Sequence, residues 1–528
     1  MIDLLIHRAS IYDGSGNKPY IGSIGICGGY IVYVSADPEA SIEAAEVIDA
    51  GGLAACPGFV DTHTHSDMML LHDGRAGYSL QQGITTEIIG QDGLSYAPMS
   101  VSHLKEYAPY IKGLNGLPED VNLDFSTVGQ YLEKYHGKVG VNVAWLVPHC
   151  ALRMETAGFE NRLLTDEEIA RAGAMAKQAV LEGACGFSTG LSYYPGSFSD
   201  TREIIGICAS VREADGIYVT HLRSVFREKP FNPVLEALDI ARQSGIKLHF
   251  SHFRTGGPTI GHADQLLEPI DKAVQEGMDI TLEMYPYPYG ASYAPMFVPM
   301  WANDGGMKRI LERLNDPVTL NRIANEIDRD FPAFDGIITY AANTPALEGR
   351  MFSELAESRG ITKGKVIAEL LKTEELALSF HDPDPQLSRE METLFEKDVL
   401  SMLNRPYYMV GSDGIRVGSW PHPRGCGSFA KIWRIAREHG FPYEKLVERL
   451  SALPCRRFGL EKRGMIREGW HADLILLDPE AFRDRATDAE PFAPPEGLKY
   501  CWVNGVKAVS DGKMTESLSG QILKYRQQ

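Results

Sequence analysis

The 528 residues contain eight cysteines but no C-x-x-C pair, no apolar run long enough to cross a bilayer, and a shortage of positive charge. Each deficit excludes something. Scattered thiols argue against a disulfide framework or a structural zinc knuckle, and fit reduced, buried side chains. Without a span of about 20 apolar residues a transmembrane helix is not expected. With 52 Lys plus Arg against 70 Asp plus Glu, the net charge of -18 disfavours phosphate backbones and anionic lipid surfaces, so neither nucleic acid nor membrane is an expected partner. The opening MIDLLIHRASIYDGSG turns polar after its first residues and lacks the sections of a secretory signal, so a cytoplasmic location is expected. Oligomeric state is not legible.

What is present is the composition of a globular enzyme-sized chain, 44% hydrophobic and 23% charged. From residue 58 onward, short β-rich runs alternate with helical stretches, the pattern of a parallel sheet built from βα units. TDEEIARAGAMAKQAVLEG illustrates the helices: Thr165 and Glu168 make a capping box, Ile169, Ala172, Ala176 and Ala179 share a face, and Gly183 can end it. Strands are expected at FVDTHTH from 59, TTEIIG from 85, VNVAWLVPH from 141, CGFSTG from 185, IYVTHL from 217, KLHFSH from 247, ITLEMYP from 280 and YYMVGSD from 407. Eight such strands close a (β/α)8 TIM-type barrel, with a doubly wound open sheet as the alternative.

Residues 58–464 are therefore assigned to the barrel, with an insertion at about 293–404 that contains a further strand-like run, GIITYAA, from 336. Residues 1–57 and 465–528 read instead as short strands and hairpins, expected to form one small β-domain from both ends of the chain.

The chemistry gathers at strand ends. His63 and His65 stand two apart, so a strand presents both imidazoles on one face and Thr62 and Thr64 on the other. His221, His252 and Asp413 end three more strands, where barrel enzymes keep their active sites. An isolated strand-end histidine is more often hydrogen-bonded than metal-bound, and Asp before Gly is often a turn residue. Convergence of all five is what points to a metal site. Imidazoles with carboxylates suit Zn²⁺, which lowers the pKa of a bound water toward about 7, and Asp413 could accept that water's proton and hand it to the leaving group. His249, three residues before His252, is expected on the outward strand face. His149 is given no role beyond possible support, and the remaining histidines, His381 and His439 among them, are read as structural.

PGFVDTHTH, QQGITTEIIGQDG, FSTGLSYYPG, VTHLRS, SHFR, YPYPYGAS, GSDG, HPRGCGSF and the closing RGMIREGWHADLILLDP and VNGVKAV follow one another along nearly the whole chain. Together they resemble the amidohydrolase superfamily, and within it the N-acyl-D-amino-acid deacylase (D-aminoacylase) branch. The resemblance implies a zinc-dependent hydrolase, with one or two ions, that cleaves the amide of a small N-acyl-D-amino acid. It implies His63, His65, His221 and His252 as metal histidines, Asp413 as catalytic aspartate and also a metal ligand, and Tyr193, Arg254 and Tyr285 as substrate-binding groups.

Three departures stand out against that pattern. Asp92 in GQDG occupies the place of a ligating cysteine, which makes it the expected carboxylate ligand, with Glu87 as second candidate; Arg254 stands where a lysine is usual; and Glu283 replaces an aspartate. A harder oxygen ligand can alter metal preference. A cyclic amide hydrolase of dihydroorotase or hydantoinase type shares the same machinery and is the nearest alternative; a noncatalytic binding protein is the other.

Overall fold

The computed structural model describes residues 1–223, 232–384 and 386–526. Ser224, the last residue of VTHLRS, lies outside them. Among the described residues, eight parallel strands run side by side in chain order: β1 (Phe59–Asp61), β2 (Ile84–Ile89), β3 (Asn142–Pro148), β4 (Gly186–Gly190), β5 (Ile217–His221), β6 (Lys247–Phe250), β7 (Ile280–Met284) and β8 (Tyr408–Val410). Their residues are almost entirely buried, as a sheet covered on both faces requires.

The first and last strands meet just beyond their ends. Thr64–His65 pairs in parallel with Gly414–Ile415, the Asp413 amide donates to the His63 carbonyl at 2.7 Å, and the Thr62 hydroxyl donates to the Val410 carbonyl at 3.0 Å. The expected (β/α)8 barrel is therefore nearly closed, and closure occurs where the histidine pair sits.

Helices surround the strands. The one at Asp166–Leu181 starts on the expected capping box: Thr165 Oγ1 accepts from the Glu168 amide at 3.2 Å, and a Glu168 carboxylate oxygen accepts from the Thr165 amide at 2.9 Å. Its Ile169, Ala172, Ala176 and Ala179 are buried.

Between β7 and β8 the chain forms a three-stranded antiparallel sheet, Ala291–Tyr293, Ile337–Ala341 and Leu378–His381, with helices around it. GIITYAA supplies the second of these strands and takes no part in the barrel. The helix Arg389–Leu403 that follows packs against the helix Ala263–Gln275 and against β8, so it belongs to the barrel's outer ring.

Strands from both chain ends share a separate nine-stranded sheet, in which Ala54–Pro57 pairs antiparallel with Leu474–Leu477. Buried Asp473 fastens this sheet to the barrel: it pairs with Arg463, and Asn142 of β3 donates to it at 3.3 Å. No helix among the described residues is long and apolar enough to cross a membrane.

Candidate metal centre

The side chains that sequence placed at strand ends come together at one end of the barrel. His63 and His65 follow β1, Asp92 follows β2, His221 ends β5, His252 lies two residues past β6, and Asp413 follows β8. Asp92 Oδ1 lies 3.6 Å from His63 Nε2; its Oδ2 lies 3.6 Å from His65 Nε2, 3.6 Å from His221 Nδ1 and 3.5 Å from His252 Nε2. Asp413 Oδ1 stands 3.6 Å from His63 Nε2 and 3.4 Å from His65 Nε2. Ligands held at about 2.0–2.1 Å in a tetrahedron are separated by roughly 3.3–3.4 Å, so this spacing is that of groups sharing an ion.

Three sets of ligand atoms are compact enough to hold a cation: His63, His65 and Asp92; His63, His252 and Asp413; and Asp92, His221 and His252. Asp92 belongs to two of them. Glu87 belongs to none, because the hydroxyls of Ser66 and Ser79 bind its carboxylate beneath the site.

Local backbone aims these groups. Asp92 adopts φ +55° between Gly90 and Gly93, which also have positive φ, and Asp413 and His252 are left-handed as well. Asp tolerates this region better than most residues, and such strain gathers at functional sites. Ser188 of β4 steadies the turn by accepting from the Gly93 amide at 3.1 Å while donating to the Gly90 carbonyl.

Electrostatics favour a cation at the centre. Burial depresses His63 to about 3 and His221 to about 4, so both stay neutral and able to ligate near pH 7. Burial also pulls on His65, but hydrogen bonding to Asp413 and Asp92 outweighs it and lifts that imidazole to about 10. Asp92 and Asp413 are both held below the usual carboxylate range: burial, which would raise them, is overcome by surrounding imidazoles and, for Asp413, first of all by Arg424. Two buried carboxylates thus demand positive charge. His63 Nε2 and Asp92 Oδ1, both buried, have no hydrogen-bond partner among the described residues, as ligand atoms awaiting an ion would not. The donor set fits a divalent metal.

Supporting groups sit behind the ligands. Glu283 Oε1 lies 2.9 Å from His63 Nδ1, and Asn115 Oδ1 lies 3.2 Å from His65 Nδ1. His249 does not point outward: it is buried and bonded to Glu283, with its Nδ1 2.7 Å from Thr281 Oγ1. Strand alternation misleads here because β6 stops at Phe250, so parity counted back from His252 does not hold. His149 faces Glu203 at 2.7 Å, and Glu203 also binds Arg153, so its polar contact is with a buried ion pair and not with the metal groups.

His221, His252 and Asp413 line a cavity of about 350 Å³. Tyr193 and Tyr285 line it, the Tyr193 hydroxyl is 3.2 Å from Ser292 Oγ, and Arg254 donates to the Tyr285 hydroxyl at 2.8 Å. Sequence reasoning missed Arg424, whose buried guanidinium binds Asp413 at 2.8 Å and, like that of Arg254, lies 4.5 Å from the Tyr285 ring centroid. Its signal was the HPRGCGSF motif, but Arg424 opens a helix, where a search confined to strand ends does not look. Asn115 carries no sequence signal at all. Larger hollows of about 520, 500 and 420 Å³ lie beside Leu314, Phe125 and Trp470, and none of these three is lined by any of these ligands.

No family model matches the chain. It is 30% identical over 525 residues, 99% of this chain and 97% of the relative, to a D-aminoacylase of Alcaligenes xylosoxydans xylosoxydans, and 32% identical over 528 residues to an N-acyl-D-aspartate deacylase of the same organism, at 99% and 95% coverage. The chain belongs to the N-acyl-D-amino-acid deacylase branch of the amidohydrolase superfamily. Solved deacylases superpose closely: an N-acyl-D-glutamate deacylase of Bordetella bronchiseptica, complexed with zinc and a phosphonate mimic of the tetrahedral intermediate, gives a TM-score of 0.80 at 27% identity, covering 99% of each chain. A D-aminoacylase described by its binuclear metal centre gives 0.81 at 28% identity, over 99% of this chain and 100% of that one. An L-hydantoinase of Arthrobacter aurescens shares only the fold, at 0.58 and 15% identity over 99% and 100% of the two chains.

Proposed function

We propose that this deacylase-family protein hydrolyses the amide bond of N-acyl-D-amino acids, releasing a carboxylate and the free D-amino acid, with zinc held by His63, His65, Asp92, His221 and His252. One observation carries the reading: the clustered ligand groups reach a cavity through His221, His252 and Asp413, and Tyr193, Tyr285 and Arg424 line that same cavity. Zinc at such a site acidifies a water and polarises the amide carbonyl. Asp92 turns its two oxygens toward different histidines, so it would be available to both sets of ligands were metal bound.

Asp413 takes the proton from the attacking water and delivers it to the leaving nitrogen. Its other oxygen is bound by Arg424, which keeps the carboxylate ionised and oriented between turnovers. Arg254, Tyr285 and Tyr193 hold the substrate carboxylate; a guanidinium fork beside a phenol hydroxyl suits that group. Free thiols at all eight cysteines accord with the cytoplasmic location proposed for the protein.

A hydrolysis screen of zinc-loaded protein against N-acetyl and N-formyl D- and L-amino acids, hydantoin and dihydroorotate tests this. Release of free amine from acyl-D substrates is expected. Ring opening without any such release would replace the reading by the cyclic amide one.

A further inference from the structure

The insertion builds the cavity wall that faces the metal groups, and its chemistry is of two kinds. Phe297, Phe331, Phe334 and Phe380 line it with Met296. Their rings pack on one another, with Phe297 centred 4.6 Å from Phe334 and 5.0 Å from both Phe331 and Phe380, so the wall is braced and apolar.

Beside it stands a carboxylate. Asp382 follows the strand Leu378–His381, is surrounded by protein yet open to solvent as a cavity-lining side chain is, and accepts from the Gly290 amide at 2.9 Å. A methyl group placed on Gly290 would lie 3.3 Å from the Tyr285 hydroxyl, 3.6 Å from Asp382 Oδ1 and 3.8 Å from Arg254 Nη2, so the acid adjoins the groups assigned to the substrate carboxylate.

The positive charge nearby is limited. Arg424 is already paired with Asp413, and among the described residues Arg254 has no ion-paired carboxylate. One substrate carboxylate can be held there; a second would face phenyl rings and Asp382, losing hydration while the lining Arg424 is already paired with Asp413.

We propose that Asp382, together with the phenylalanine wall, is a specificity determinant that excludes N-acyl-D-amino acids with acidic side chains and reserves the wall for a bulky apolar group. The inference rests on the deacylase reading above. On this inference the chain differs in substrate choice from its relatives named for D-aspartate and D-glutamate derivatives.

The test is kcat/KM of the zinc-loaded full-length protein for N-acetyl-D-phenylalanine, N-acetyl-D-alanine, N-hexanoyl-D-alanine and N-acetyl-D-glutamate. The better of the phenylalanine and hexanoyl substrates should exceed the glutamate substrate by about 100-fold or more, and which of the two wins identifies whether side chain or acyl chain fills the wall. D382N, which keeps an acceptor for Gly290, should narrow that ratio by about tenfold, and F380A should narrow it from the apolar side. Equal rates on glutamate and the apolar substrates in the wild-type protein would overturn the inference and leave the deacylase reading standing. An unchanged ratio in both variants would also overturn it. No amine from any of the four would overturn both.

Discussion

Glu283 Oε1 faces two nitrogens at once, His63 Nδ1 at 2.9 Å and the His252 backbone amide at 2.7 Å. The amide can only donate, so this oxygen accepts there; where Glu283 also accepts from His63, the imidazole carries its proton on Nδ1. The Nε2 lone pair is thereby turned toward Asp92 and Asp413. A carboxylate that orders a ligating histidine in this way usually matters about 10–100-fold to metal affinity or activity. E283A is expected to weaken zinc binding within that range, read by competition with a chromophoric chelator, while E283Q, which retains an acceptor, should lose less. Zinc affinity unchanged in E283A would contradict the assignment.

Asp413 is expected to move protons more than to hold metal. D413N should lower kcat by about 10²–10⁴-fold with most of the metal content retained. Comparable turnover in the variant would remove the shuttle role.

Asp92 is the carboxylate common to two ligand sets, so D92A should lose metal and activity together. Chelation of the wild-type protein should do the same and lower Tm; saturating zinc at 100 times its Kd contributes about 2.7 kcal/mol. Restoring zinc should restore both in the wild type but not in D92A. Metal-free wild-type protein with full activity and unchanged Tm is the opposing result.

Arg254 donates to Tyr285 and lies over its ring, a forked and stacked contact that lysine cannot copy. R254K is expected to raise KM about tenfold with a smaller change in kcat, the signature of lost ground-state binding. A fall in kcat alone would place Arg254 in the chemical step instead.

Away from the site, Thr165 caps the helix Asp166–Leu181. T165A should cost about 1 kcal/mol in denaturant unfolding without altering kcat/KM.

The barrel strands were legible because parallel strands buried on both faces leave uniform apolar and β-branched runs, and the histidines proposed as metal ligands stood out because they end those runs. Strand parity failed at His249, where a strand four residues long is too short to carry a count to His252. Arg424 and Asn115 were hidden for a different reason: a helix start and a loop acquire their roles only from what they touch.

From the chain alone came the order of strands, the candidate ligands and the departure at Asp92, since local periodicity and residue chemistry are written along one dimension. Tertiary structure alone decided that Asp92 faces four histidines, that Arg424 takes Asp413, and that four phenylalanines and Asp382 wall the cavity. The first of those relationships joins residues as far apart as Asp92 and His252, and only packing brings such distant side chains within a few ångströms.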